Sequence, residues 1–149
     1  MLTFNQKMLI ILGIVILGVL IVFGVNNLEK TSQIQSSNQA DQPAIQWNHD
    51  LNSALSTAQK SDKLVFVDFY ADWCGYCKQL DEKTYPDGKV EGVMAQKYVA
   101  VKVNVDNNPD LASKYGVYGL PTLIIMDSNG NEIKRVEGYQ NPSQLLSIL

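Results

Sequence analysis

Cys74 and Cys77 are the only 2 cysteines in the chain, and they stand in the run Trp73-Cys74-Gly75-Tyr76-Cys77-Lys78. Two cysteines three positions apart on the first turn of a helix lie close enough for a disulfide without moving the backbone. The helix start presents unpaired N–H groups and a partial positive charge, which stabilise a thiolate on the leading sulfur. Cys74 is therefore the expected nucleophile. Cys77, one turn in and less exposed, is the thiol expected to resolve a mixed disulfide. Other chemistries fit these residues less well. Zinc would need two further ligands, and the one histidine, His49, reads as a surface residue at a helix start. Haem attachment wants His after the second Cys, where Lys78 stands. A purely structural disulfide between neighbours on one turn closes almost no loop and stabilises little. Neither metal nor cofactor is expected.

The cysteines fall where a strand gives way to a helix. Residues 64–70 (LVFVDFY) are a short β-rich apolar run, the pattern of a strand buried on both faces. Residues 74 to 85 follow as a helix, stopped by Pro86-Asp87-Gly88. Upstream, Leu51, Ala54, Leu55 and Ala58 share one helix face, with Asn48 or Asp50 available as its cap. A helical piece over 90–98 leads to a strand over 99–105 (VAVKVNV). Asn108-Pro109 supplies a cap and a first helical residue for a helix ending at Gly116. Residues 122–126 read as a strand that Asn129-Gly130 turns into a hairpin with 132–136. Asn141-Pro142, with Gln144 three residues past the cap, starts a last short helix. Two crossover units, a hairpin and a closing helix make an α/β fold: a central mixed β-sheet flanked by helices on both faces.

Two strand residues could also do chemistry. Asp68 lies inside the apolar run, where an unpaired carboxylate is costly and its pKa is pushed upward. Buried there, it could exchange a proton with Cys77; at the strand's end it would instead point to solvent. Lys102 alternates with the valines of VAVKVNV, which by itself describes a half-exposed strand with the lysine in water.

Composition bounds the rest. The 149 residues allow one ordinary domain, with a monomer as the default, and a net charge of −3 offers no basic field for nucleic acid. Residues 8–25 (MLIILGIVILGVLIVFGV) carry no charge. As a helix they would measure about 27 Å, enough to cross a bilayer's hydrocarbon core. The run is longer than the apolar stretch of a cleaved signal, and it has no polar face with which to sit in a soluble core. One N-terminal transmembrane helix retained as an anchor is expected, with a cleaved signal as the other reading. Lys7 precedes the run while Glu29 and Lys30 cancel after it, which favours a cytoplasmic N-terminus and an extracytoplasmic body. The chain thus divides into an anchor at 1–25, a flexible polar linker at 26–46 and a folded domain at 47–149, with a short edge strand possible over 44–47.

Residues 67–78 (VDFYADWCGYCK) closely resemble the active-site segment of thioredoxin-family proteins, and residues 114–122 (KYGVYGLPT) resemble their second signature. Within that family the body is most similar to the C-terminal thioredoxin-like domain of DsbD-type thiol:disulfide interchange proteins. Tyr70-Ala71-Asp72-Trp73-Cys74 agrees with them, as does Glu82-Lys83-Thr84-Tyr85, where ordinary thioredoxins keep a proline. The resemblance implies a thioredoxin fold and thiol–disulfide exchange with protein substrates. It implies a cis bond before Pro121, leaving the Leu120 backbone free to pair with an extended substrate beside Cys74, and a buried Asp68 with Lys102 near it. Gly138 matches a glycine lining the substrate groove; Trp73 is expected to cover the cysteines unless it is core, and Tyr76, beside Gly75 between them, to be exposed on the substrate-binding side. Those domains usually carry other residues between the cysteines, and Gly-Tyr is the pair of exported disulfide isomerases. The expected activity is a membrane-anchored extracytoplasmic reductant re-reduced by a membrane electron donor of the DsbD or CcdA kind. The alternatives are an oxidase or isomerase of the same fold, or a tethered binding or chaperone module with incidental cysteines.

Overall fold

Strand β2, Leu64–Tyr70, runs through the middle of the sheet, and its alternation builds both sides of the molecule. Val65, Val67 and Phe69 project to one face, and Phe66 to the other. The computed structural model describes residues 44–149, which belong to one unit spanning Gln42–Leu149. Its remaining elements are β1 (Trp47–Asn48), α1 (Leu51–Ser61), α2 (Gly75–Gln79), a π-helical turn (Leu80–Thr84), α3 (Gly88–Lys97), β3 (Tyr98–Asn104), α4 (Pro109–Lys114), β4 (Thr122–Met126), β5 (Glu132–Glu137) and α5 (Pro142–Ile148). The five strands lie in the order β1-β3-β2-β4-β5. The β1–β3 and β2–β3 pairs are parallel, whereas β2–β4 and β4–β5 are antiparallel. This is the thioredoxin fold, a mixed sheet flanked by helices.

One core lies between the sheet and α1, where Leu51, Ala54 and Ala58 meet Val65, Val67, Val101, Val103 and Ile124. The other gathers Phe66, Leu80, Tyr85, Val90, Met94, Leu123 and Leu145 beneath α3, α5 and the π turn. Asp68 pairs in register with Lys102 across the parallel β2–β3 ladder, so both side chains project to the second face. The two helices at the ends are well capped. Asp50 accepts the N–H of Ser53 at 2.6 Å, and Asn141 and Gln144 form a reciprocal capping box.

Several elements differ from the sequence reading for identifiable reasons. The helix expected over 74–85 starts at Gly75 and widens into a π turn from Leu80, closed by the Tyr85 N–H on the Leu80 carbonyl at 2.9 Å. Widening buries both Leu80 and Tyr85 while Thr84 Oγ1 donates to the Gln140 carbonyl at 2.7 Å. The expected β4–β5 hairpin forms through Asn129-Gly130, though within a longer connection. The connection runs from Asp127 to Asn131, and the Asp127 carboxylate accepts the N–H groups of Asn129 and Asn131 at 2.8 and 2.9 Å. Asn108 starts α4 without a capping bond, because its side-chain amide donates back to the Asn104 carbonyl. The edge strand falls at Trp47–Asn48, and Ile45 before it is partly buried against the second core. Among the described residues no helix is long and apolar enough to cross a membrane, and the apolar run at 8–25 lies outside them.

Candidate active site

At the end of β2 the chain turns through Ala71-Asp72-Trp73, with the Cys74 N–H returning to the Ala71 carbonyl at 3.1 Å. Cys74 caps α2 in extended conformation, and its Sγ accepts the N–H of Cys77 at 3.1 Å. The two residues are joined as a disulfide, with Cα atoms 5.3 Å apart. Both residues are buried, Cys74 at 5% exposed less completely than Cys77 at 1%. Ala71, Cys74 and Cys77 form a small buried cluster, against which Tyr70, Val105 and Leu120 pack. Gly75 faces open space, and Tyr76 beside it is 60% exposed.

A charged network lies in the second core, on the face of β2 that carries Phe66 and Asp68. Asp68 is fully buried, which removes the solvent-facing alternative. Its Oδ2 accepts from the Tyr85 hydroxyl at 3.0 Å and from Lys102 Nζ at 3.1 Å, while Oδ1 has no protein partner. Lys102 is not in water either. Its ammonium also donates to Asp81 Oδ1 at 2.5 Å and lies about 5 Å from the rings of Trp47, Tyr70 and Tyr85. Burial raises the Asp68 carboxyl above its ordinary value, outweighing the opposing Lys102 charge and the bonds from Lys102 and Tyr85. Burial and the neighbouring Asp68 charge push the Tyr85 phenol well above its usual range, so it remains a donor. For Lys102, burial acts downward, but the Asp68 and Asp81 carboxylates outweigh it and hold the ammonium charged.

The other wall is the loop between α4 and β4. Leu120 packs on the cysteine cluster, and the Leu120–Pro121 bond is cis. The Pro121 carbonyl accepts the N–H of Gly138 at 2.8 Å, and Gly138 adopts φ +82°, a conformation that disfavours any residue with a Cβ. Thr122 Oγ1 closes on the Gly119 carbonyl at 2.8 Å. Trp73, Gly75, Tyr76, Leu120, Pro121 and Gly138 thus lie on three segments, the turn into α2, the proline loop and the residue after β5.

Trp73 is not core. It is 70% exposed, and its indole N–H donates to Asp106 Oδ2 at 3.0 Å. Asp106 was not evident from the sequence, and neither was Asp81. Both act across elements distant in sequence, although Asp81 stands four residues after Cys77 and a charged residue so near the site is a usable signal. Asp106 is held in turn by Asn104, whose Oδ1 accepts the Asp106 N–H at 2.9 Å. Asp106→Ala is expected to release Trp73 with a stability loss below about 1 kcal/mol, since the bond is exposed. In a Trp47→Phe background, a fall in Trp73 fluorescence anisotropy at unchanged Tm checks this.

A buried pair of vicinal cysteines at a helix start, beside a cis-proline loop on a mixed sheet, defines a thiol–disulfide exchange protein of the thioredoxin type. The family model for thioredoxin-like domains matches residues 51–149. The chain is 42% identical over 105 residues to the thiol:disulfide interchange protein DsbD of Tatumella citrea, covering 67% of this chain and 18% of that protein. It is 38% identical over 88 residues to a thioredoxin of Alicyclobacillus acidocaldarius subsp. acidocaldarius, covering 59% of this chain and 80% of that one. A thioredoxin from Thermus thermophilus matches with a TM-score of 0.64 at 26% identity, over 71% of this chain and 85% of that one. A DsbH oxidoreductase shares the fold at a TM-score of 0.67 and 19% identity, over 78% and 89% of the two chains. The chain belongs to the thioredoxin-like family. It spans less than a fifth of the DsbD proteins it matches.

Proposed function

We propose that this protein is an extracytoplasmic reductant of protein disulfides, held at a membrane by the apolar run at 8–25. The observation carrying the exchange chemistry is the Cys74–Cys77 disulfide at a helix start, where Cys74 Sγ accepts the N–H of Cys77 and Cys74 is the less deeply buried of the two. In the reduced state the Cys74 thiolate attacks one sulfur of a substrate disulfide. That S–S bond breaks, one substrate thiolate leaves, and a mixed disulfide forms. Cys77 then gives up its proton, which Asp68 accepts, and attacks Cys74 Sγ. The second substrate thiol is released, and the pair ends oxidised with two electrons transferred. The Leu120 backbone, ahead of Pro121, pairs with the extended substrate segment.

The similarity to DsbD proteins supports the reductive direction. Both cysteines belong to the exchange site, so restoring the dithiol takes two electrons from a donor outside that site. We assign that role to a membrane donor of the DsbD or CcdA kind. The Gly75-Tyr76 pair favours a second reading, an oxidase or isomerase. Equilibration with glutathione separates the two. The reductant reading expects a potential near the about −270 mV of thioredoxin, and one near the about −120 mV of a strong oxidant overturns it. A reporter fused after Leu149 and active only in the cytoplasm would overturn the extracytoplasmic placement.

A further inference from the structure

Helix α4 ends in a turn whose last carbonyls have no helical partner. The N–H groups of Tyr115, Gly116 and Val117 return to Leu111, Ser113 and Ala112, with Gly116 at φ +58°. The carbonyls of Tyr115 and Gly116 are therefore left at the start of the loop that carries Leu120 and Pro121. A single side chain from another element meets both. Arg135, on β5 and in register with Ile124, donates through Nη2 to the Tyr115 carbonyl at 2.6 Å and through Nη1 to Gly116 at 3.5 Å. Its other N–H groups fork onto Glu132, with Nε at 3.0 Å and Nη2 at 2.6 Å, so the guanidinium is oriented before it reaches the loop.

The loop is thus held at its two ends from β5 and the residue that follows it. Downstream, the Gly138 N–H fixes the Pro121 carbonyl; upstream, Arg135 fixes the end of α4. Between them Tyr118 is 95% exposed and makes no anchoring contact. We propose that Arg135 is a positioning residue for protein substrates, setting the height of the Leu120 backbone beside Cys74. It touches neither cysteine nor substrate. The proposal rests on the reading of this loop as the substrate-docking segment. A small disulfide has no extended chain to lay along the loop, so its exchange depends on the cysteines far more than on the loop's placement. Misplacing a docking segment by about 1 Å can reduce productive binding by one to two orders of magnitude.

Arg135→Gln in the full chain is expected to raise KM for insulin about tenfold, with kcat changed less than about twofold and a smaller effect on glutathione disulfide. Arg135→Lys, which keeps the charge but reaches one carbonyl, should recover about half of that loss on a logarithmic scale. If Arg135→Gln fails to fold, Glu132→Gln leaves the guanidinium in place but unoriented and should raise the insulin KM in the same direction. An insulin KM that moves less than about twofold, or equal losses on both substrates together with a lowered Tm, overturns the proposal. Tyr118→Ala tests the loop separately. A KM effect there without one at Arg135 defeats the inference alone, and no effect at either defeats the docking reading with it.

Discussion

Cys77→Ser is expected to stop turnover at the mixed disulfide, leaving substrate covalently attached to Cys74. The geometry makes this the largest effect available. Cys77 is 1% exposed and lies one helical turn from Cys74, with Cα atoms 5.3 Å apart, so it attacks the mixed disulfide as a near neighbour. Replacing that intramolecular step by attack from solution thiols removes an advantage of about 10³-fold or more. Cys74→Ser removes the leading nucleophile itself and should lower insulin reduction by at least about 10³-fold without trapping anything. Non-reducing gels of cells carrying each variant distinguish the two. Adducts with Cys77→Ser and none with Cys74→Ser are the expected result. No adduct on Cys74 in the Cys77→Ser strain would instead favour a tethered binding module, and identification of trapped proteins would name the clients.

The strands were legible because their side chains repeat with period two and the sheet obeys it. In LVFVDFY the odd positions Val65, Val67 and Phe69 enter one core and Phe66 the other, so the acid at 68 had to share the face of Phe66. Whether that face was dry there could not be read from β2, because Tyr85, Lys102 and Trp47, which enclose Asp68 and its lysine, come from three other elements. The π turn was hidden for a related reason. Leu80 and Tyr85 suit the buried face of an α-helix almost as well as that of a wider turn, and the deciding bond to Gln140 lies 56 residues from Thr84. The Leu120–Pro121 loop was visible through its resemblance to a known signature, since Gly-Leu-Pro alone describes only a turn. Arg135 was invisible for a simpler reason. In NEIKRVEG it looks like one more charge on an exposed edge strand, paired with Glu132, and its partners on the loop are backbone carbonyls, which leave no mark on sequence.

Asp68→Asn is expected to make the protein more stable near neutral pH and slower at exchange. The sign of the stability change follows from which term wins at this carboxylate. Lys102 and Tyr85 both favour the charged form, but burial outweighs them and the net displacement of the pKa is upward. A folded pKa above the unfolded one means the native state binds the proton more tightly. The stability so gained is complete below the unfolded pKa and is lost as pH rises through the folded pKa. Above that window the wild-type protein keeps a charge that burial disfavours, whereas Asn has none. Lys102 is not orphaned in the variant, because Asp81, half-exposed, still accepts its ammonium at 2.5 Å. The gain shows as a Tm above that of the wild type, at about 4–8 °C per kcal/mol for a domain of this size. Measured against pH, the Tm difference between variant and wild type should be small in acid, grow through the titration of Asp68 and then level off. Over the same pH range, release of the Cys74 mixed disulfide should slow by about a hundredfold, because Cys77 loses the group that accepts its proton. A variant that is less stable at neutral pH would show that the Lys102 pair outweighs burial. One that exchanges at the wild-type rate would remove Asp68 from the proton path, leaving it a buried charge without a part in the chemistry.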